Sequence, residues 1–195
     1  MGNKEQEMKY SQELKSRLFN PTAWQQTAQH LLKAAAFLEP KIDDFWQNMR
    51  SQSIYQPTSW RPWNDEFIAI YFMLCAFAIE NLLKSHIIKN RQKEIRKELE
   101  ADPVVPKILR GHNLYELTIK AGFSELAKYD EALLRRLSRC SVWYGRYPIP
   151  IAPKALMRTH SSKDYDYDLS LTQYTSADCD NIYRIVQELT MPVLK

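Results

Sequence analysis

The chain has 195 residues, 45% hydrophobic and 26% charged, with a formal net charge of +4 and only 4 glycines. That length suits one domain, and so few glycines argue against a sheet-rich fold that must make many tight turns. The mild charge permits an anionic partner without demanding one, and three scattered cysteines (Cys75, Cys140, Cys179) with no CxxC argue against a disulfide framework or zinc site.

Met1 to Arg17 is polar and charged, so no signal peptide is expected, and residues 1–19 read as a polar helix or arm. Asn20-Pro21 is a helix start, with Asn as the cap and Pro at the first helical position. Trp24, Thr27, Ala28, Leu31, Leu32, Ala35 and Leu38 then share one helical face. Pro40 opens a further helical stretch with Ile42, Phe45, Trp46 and Met49, and Ser51 to Trp63 reads as a loop marked by Pro57 and Pro62. Asn64 or Asp65 can cap the next helix, whose first turns, Phe67 to Ile79, are apolar on every side. Such a helix must be surrounded by others. The apolar run itself is too short to span a bilayer. Past Lys89 the sequence becomes charged, so its far end is expected to project into water until Asp102-Pro103 and Pro106 stop it.

Asn113-Leu-Tyr-Glu116 has the form of a capping box, which places His112 just outside a helix that Gly122 ends. A further helix from about Asp130 to Ser141 turns Leu133, Leu134 and Leu137 inward and carries Arg135, Arg136 and Arg139 along a flank. The segment Trp143-Tyr-Gly-Arg-Tyr-Pro-Ile-Pro150 does not read as helix, and residues 142–171 are expected to be irregular. The last helix starts near Ser176, with Asp178 and Asp180 suited to its N-terminal dipole. The whole is expected to be a single all-α domain over 1–195, an up-and-down bundle of four or five helices with Phe67–Ile79 at its centre.

Charge is distributed unevenly. Lys84 to Arg110 holds eight Lys or Arg against four acids, and Ser161 to Asp180 holds five Asp against one Lys. Such asymmetry suits nucleic-acid contact, oligomer complementarity or a solvated helix face. Glu80 stands at the end of the apolar run, where an unpaired charge is costly, and Lys84 follows it in the favourable Glu-to-Lys order. The local pair alone can satisfy it. The alternative brings His112 and Arg146 to the same place, making an anion or nucleotide pocket in which the helix start beside His112 supplies open amides. Trp143 and Tyr147 either cover a core end or stack around Arg146. No Gly-rich phosphate loop, HExxH or GxSxG occurs, and no metal site or cofactor is expected.

The series Phe77-Ala-Ile-Glu80-Asn-Leu-Leu-Lys84, Gly111-His112-Asn113-Leu114 and Trp143-Tyr-Gly-Arg146-Tyr-Pro148 resembles the HEPN superfamily (higher eukaryotes and prokaryotes nucleotide-binding) over roughly Asp65 to Pro150. The resemblance implies an up-and-down helical bundle, usually paired as a homodimer, while the scattered cysteines lead to the expectation of a reduced, cytoplasmic protein and the short apolar run to one off the membrane. Members include RNA-cleaving toxins, defence effectors and partners of nucleotidyltransferases. Ribonucleases of that superfamily carry Arg followed by His after four to six residues. No histidine here is so preceded, and Arg139 is followed at the nearest spacing by Arg146 instead. An arginine cannot take a proton from a ribose 2′-hydroxyl. The reading favoured is therefore a non-catalytic HEPN-like module that binds a nucleotide, RNA or a protein partner, with Glu80, Lys84, His112, Arg139, Trp143, Arg146 and Tyr147 as its binding set. A divergent metal-independent ribonuclease using His112, Arg139 and Arg146, and a structural or interaction subunit, are the alternatives. Excess loop aromatics (Trp60, Trp63, Trp143, Tyr144, Tyr147) also favour a homodimer.

Overall fold

The computed structural model describes residues 3–55, 66–102, 104–144 and 174–191, and among these every regular element is helical. Helix α1 (Asn3–Leu18) is polar and meets the core at its end through Leu18. Helix α2 (Pro21–Ala36) starts as its sequence requires, with the Asn20 side chain accepting from the Ala23 amide. Ala28 and Ala35, seven residues apart, are fully buried, and small side chains on that stripe let α2 lie close against its neighbour. Thr27 departs from the expected apolar face. It is exposed and returns its hydroxyl to the Ala23 carbonyl. Helix α3 (Glu39–Tyr55) extends through 51–55, where a loop was expected, because the helix-breaking prolines come only later.

Helix α4 (Glu66–Asn90) is the centre of the fold. It packs most extensively on α2, and also on α3, α5, α7, α9, α10 and the π-helical turn that follows α9. Phe72, Ile79, Leu83, Ile87 and Ile88 are entirely buried, as an all-round apolar helix demands. The helix continues well past Ile79. Phe67–Asn90 is long and apolar enough to cross a membrane by length and composition, and 61% of its most apolar window is buried by the surrounding helices. Its charged continuation is not the projecting arm expected from sequence. The chain breaks at Arg91 and re-forms as α5 (Gln92–Ala101), which folds Ile95 and Leu99 into the core and sets Arg96 over the Phe19 ring. Two apolar side chains four residues apart supply the anchor that a fully solvated arm lacks.

After the short α6 (Lys107–Arg110), α7 (Leu114–Ala121) begins at Asn113 and ends at Gly122, whose φ of 95° lies in the left-handed region. The amide of Phe123 reaches the Thr118 carbonyl and that of Gly122 reaches Ile119, which closes the helix end. Helices α8 (Ser124–Tyr129) and α9 (Glu131–Arg139) follow, with Leu133, Leu134 and Leu137 buried as expected. The chain does not stop there. A π-helical turn, Cys140–Tyr144, carries it on into residues where no helix was expected, packed on α4 with the Cys140 thiol against the Ala69 carbonyl. Helix α10 (Ser176–Thr190) completes the core with Ile182, Ile185 and Leu189. The irregular segment expected at 142–171 lies outside the described residues from 145 onward.

A buried ionic contact and a half-buried one join distant parts of the chain. Arg136 grips Asp178 through both guanidinium nitrogens, at 2.9 and 2.8 Å, and Asp178 also takes the Thr175 amide in a capping box. From sequence Asp178 suits the helix dipole and Arg136 lies along a flank of its helix; in the fold both are buried against each other. Tyr174 stacks on Phe72 beneath this pair, with ring centroids 3.7 Å apart. Asp130 meets Arg184 at 2.5 Å and holds α10 to the α8–α9 junction.

Candidate functional site

Glu80 emerges from the buried middle of α4 with 7% of its surface exposed, and Lys84, one turn on, with 6%. Their ion pair is short, Lys84 Nζ to Glu80 Oε1 at 2.7 Å. The third member comes from another segment. His112 is held between two buried leucines, Leu109 at the end of α6 and Leu114 at the start of α7, which leaves it little freedom of position. Its Nδ1 lies 3.0 Å from each oxygen of Glu80. Three of the four residues expected to converge thus do so. Arg146 and Tyr147 lie outside the described residues, as does the side chain of Trp143.

This geometry fixes the chemistry of His112. A carboxylate only accepts hydrogen bonds, so in this contact Nδ1 is the donor and carries the proton. Nε2 then bears the lone pair on a ring whose side chain is 56% exposed. Glu80 spreads its two oxygens over a buried ammonium and a half-exposed imidazole, with the net charge of the trio set by the histidine. Such an arrangement can orient a proton acceptor, or donate to an anion when the ring is protonated.

The helix start beside His112 is less open than the sequence suggested. Ser138 Oγ accepts from the Leu114 amide at 2.8 Å, and Asn113 Oδ1 accepts from that of Glu116 at 3.3 Å. Glu116 reaches back not to a backbone amide but to the Asn113 side chain, at 2.9 Å. With the Leu114 and Glu116 amides taken, side chains are the main source of attraction for an anion here. Those lie on α9. Arg135 sits over the Tyr115 ring, 4.2 Å from its centre, while it pairs with Glu131. Ser138 meets the first amide of α7, so the flank of α9 bearing Arg135 and Arg139 runs along the start of that helix. Arg139 is partly buried, which lowers its pKa from the usual arginine value, though a guanidinium stays charged at any physiological pH.

The other histidines and the cysteines are occupied otherwise. His86 Nε2 lies 2.7 Å from the Leu189 carbonyl, and its ring packs edge-on to Phe123. His30 is exposed on α2, and His160 lies outside the described residues. Burial pushes the thiols of Cys75 and Cys140 up to about 12 and that of Cys179 up to about 11, so all three are protonated and inert near neutral pH. No group of three His, Cys, Asp or Glu among the described residues is placed to hold a metal ion.

No family model matches the chain, and no curated protein or solved structure matches it. Its function must be argued from the site itself.

Proposed function

We propose that the protein is a HEPN-like, non-catalytic helical module that binds a phosphate-bearing ligand, a nucleotide or RNA, at His112. One observation carries this reading: a half-exposed histidine oriented by a buried Glu80–Lys84 pair, beside a helix flank that bears Arg135 and Arg139. Arginine forks and a protonated imidazole are suited to phosphate oxygens, and Tyr115 offers a ring face beside them. The local basic excess from Lys84 to Arg110 supports the same ligand class. Arg146, Trp143 and Tyr147 belong to this proposed set by sequence.

The test is thermal. A nucleotide present at about one hundred times its Kd stabilises the folded state by about 2.7 kcal/mol, a rise of about 5–10 °C in melting temperature for a chain of this size. His112→Gln and Arg139→Gln should abolish the rise. No shift with any nucleotide, and no binding of tRNA or total RNA, leaves a purely structural or protein-interaction role. A divergent ribonuclease is the second reading, favoured by the Nε2 lone pair that the Glu80 contact leaves on an exposed ring. Cleavage of RNA lost in His112→Gln establishes it, and intact RNA removes it. We also propose a homodimer in the cytoplasm, possessing a role in a toxin–antitoxin or defence setting. Light scattering at tens of micromolar, where a dimer of about micromolar Kd forms, decides the oligomeric part.

A further inference from the structure

The buried Glu80–Lys84 pair and the exposed His112 ring have a chemical consequence separate from reversible binding. Glu80 does more than hold His112 in place. By accepting from Nδ1 it pins the ring in the tautomer that leaves the lone pair on Nε2, on a side chain 56% exposed, and it raises the electron density available there. Attack through Nε2 makes the ring an imidazolium, with Nδ1–H still in place. The same carboxylate then faces a full positive charge across 3.0 Å and stabilises it. Lys84 holds the same carboxylate from its other side, at 2.7 Å. An oriented, half-exposed histidine with a built-in counter-charge meets the requirements of a nucleophile.

We propose that His112 is a nucleophilic histidine whose Nε2 accepts a phosphoryl group. The choice of group rests on the phosphate reading above: the arginine flank of α9 suits phosphoryl oxygens and offers nothing to a neutral acyl group. In the step, the Nε2 lone pair attacks phosphorus in a donor of the N-phosphoryl or mixed-anhydride class. The N–P bond forms, the donor's P–N or P–O bond breaks, and the bonding pair leaves with the donor's nitrogen or oxygen, which takes a proton from water. Nδ1 keeps its proton against Glu80.

The chain contains its own controls. His86 has its Nε2 against a backbone carbonyl and should be protected, whereas His30 is exposed and makes no hydrogen bond to a carboxylate among the described residues. The experiment uses the full chain with His160→Gln, so that the three remaining histidines have described surroundings. Phosphoramidate serves as the small phosphoryl donor, and acid-labile phosphohistidine is mapped by peptide mass spectrometry. His112 should label faster than His30, because a carboxylate accepting from the opposite ring nitrogen raises the basicity of the free one. Glu80→Gln should bring His112 to the rate of His30 and leave His30 unchanged, an effect no general loss of stability produces.

Labelling of His112 at the rate of His30, or a Glu80→Gln protein that labels His112 at the full rate while His86 stays protected, overturns the proposal. If Glu80→Gln exposes His86 to the reagent, the variant has unfolded and the comparison of His112 with His30 in the parent decides alone. Diethyl pyrocarbonate in parallel separates the parts. Fast carbethoxylation of His112 without phosphorylation refutes phosphoryl acceptance, and a labelled His112 without any nucleotide-induced shift refutes nucleotide binding while the nucleophile stands.

Discussion

At the scale of single residues, the decisive quantity is how much water reaches a charge. Glu80 and Lys84 are both buried, so removing one partner strands the other away from solvent. Glu80→Ala should therefore cost about 3–5 kcal/mol in urea denaturation, against about 0–1 for an exposed pair of the same spacing. A cost below 1 would mean that water reaches Lys84 freely. Asp130 shows the opposite balance. Burial raises its carboxyl pKa, and the hydrogen bond and charge of Arg184 recover only part of that. One of its oxygens, Oδ2, is buried with no hydrogen-bond partner among the described residues. A raised folded-state pKa means that the folded protein holds this proton more tightly than the unfolded chain. The group's contribution is thus fully present at acid pH and lost as pH rises through the folded value. Asp130→Asn should be more stable than the parent at neutral pH, with the advantage fading toward about pH 4, where the unfolded Asp also takes up its proton. Denaturation curves of both proteins across that window check the sign. A constant difference would exclude Asp130 as the source.

Elements are set here by their ends. Asn20 and Asn113 cap α2 and α7, and both were legible because a cap is a local contract between a side chain and an amide three residues on. Gly122 is similar. A Cβ added there meets nothing within 4 Å, yet its φ is 95°, so the cost of Gly122→Ala is entirely conformational. We expect about 1–2 kcal/mol, read by thermal or chemical denaturation, with Gly122→Asn cheaper because Asn tolerates the left-handed region. Equal stability of Gly122→Ala would mean that the end of α7 re-forms without that turn. The break at Arg91 was not legible, since no proline or glycine marks it. It occurs because Ile95 and Leu99 can reach the core only if the chain turns back. The π-helical turn at Cys140–Tyr144 is likewise a matter of packing on α4, invisible to propensity.

For the whole molecule, α10 closes the core by contacts with elements far away in sequence. His86 reaches the Leu189 carbonyl near one end of α10, and the Arg136–Asp178 pair secures the other. Arg136→Met keeps much of the side-chain volume but leaves the Asp178 carboxylate buried with its Thr175 amide and no guanidinium fork. It should cost about 3–5 kcal/mol and, by hydrogen exchange, loosen α10 before the α2–α4 pair. Uniform loss of protection across all helices would show instead that α10 is inseparable from the global folding unit.

The sequence by itself determined the all-α class, the central position of the apolar helix, the caps, the glycine stop and the meeting of Glu80 with Lys84. These follow from spacing within a few residues, or from an apolar surface that must be covered wherever it lies. It also suggested His112 as a partner, because a carboxylate at the end of an apolar run needs cations. Packing across the chain makes His112 contact both oxygens of Glu80 through Nδ1, occupies the Leu114 and Glu116 amides at the start of α7, and buries Arg136 against Asp178. Each of those depends on which segment packs beside which across tens of residues. Charge and periodicity alone do not encode that choice; the sum of all buried surfaces makes it.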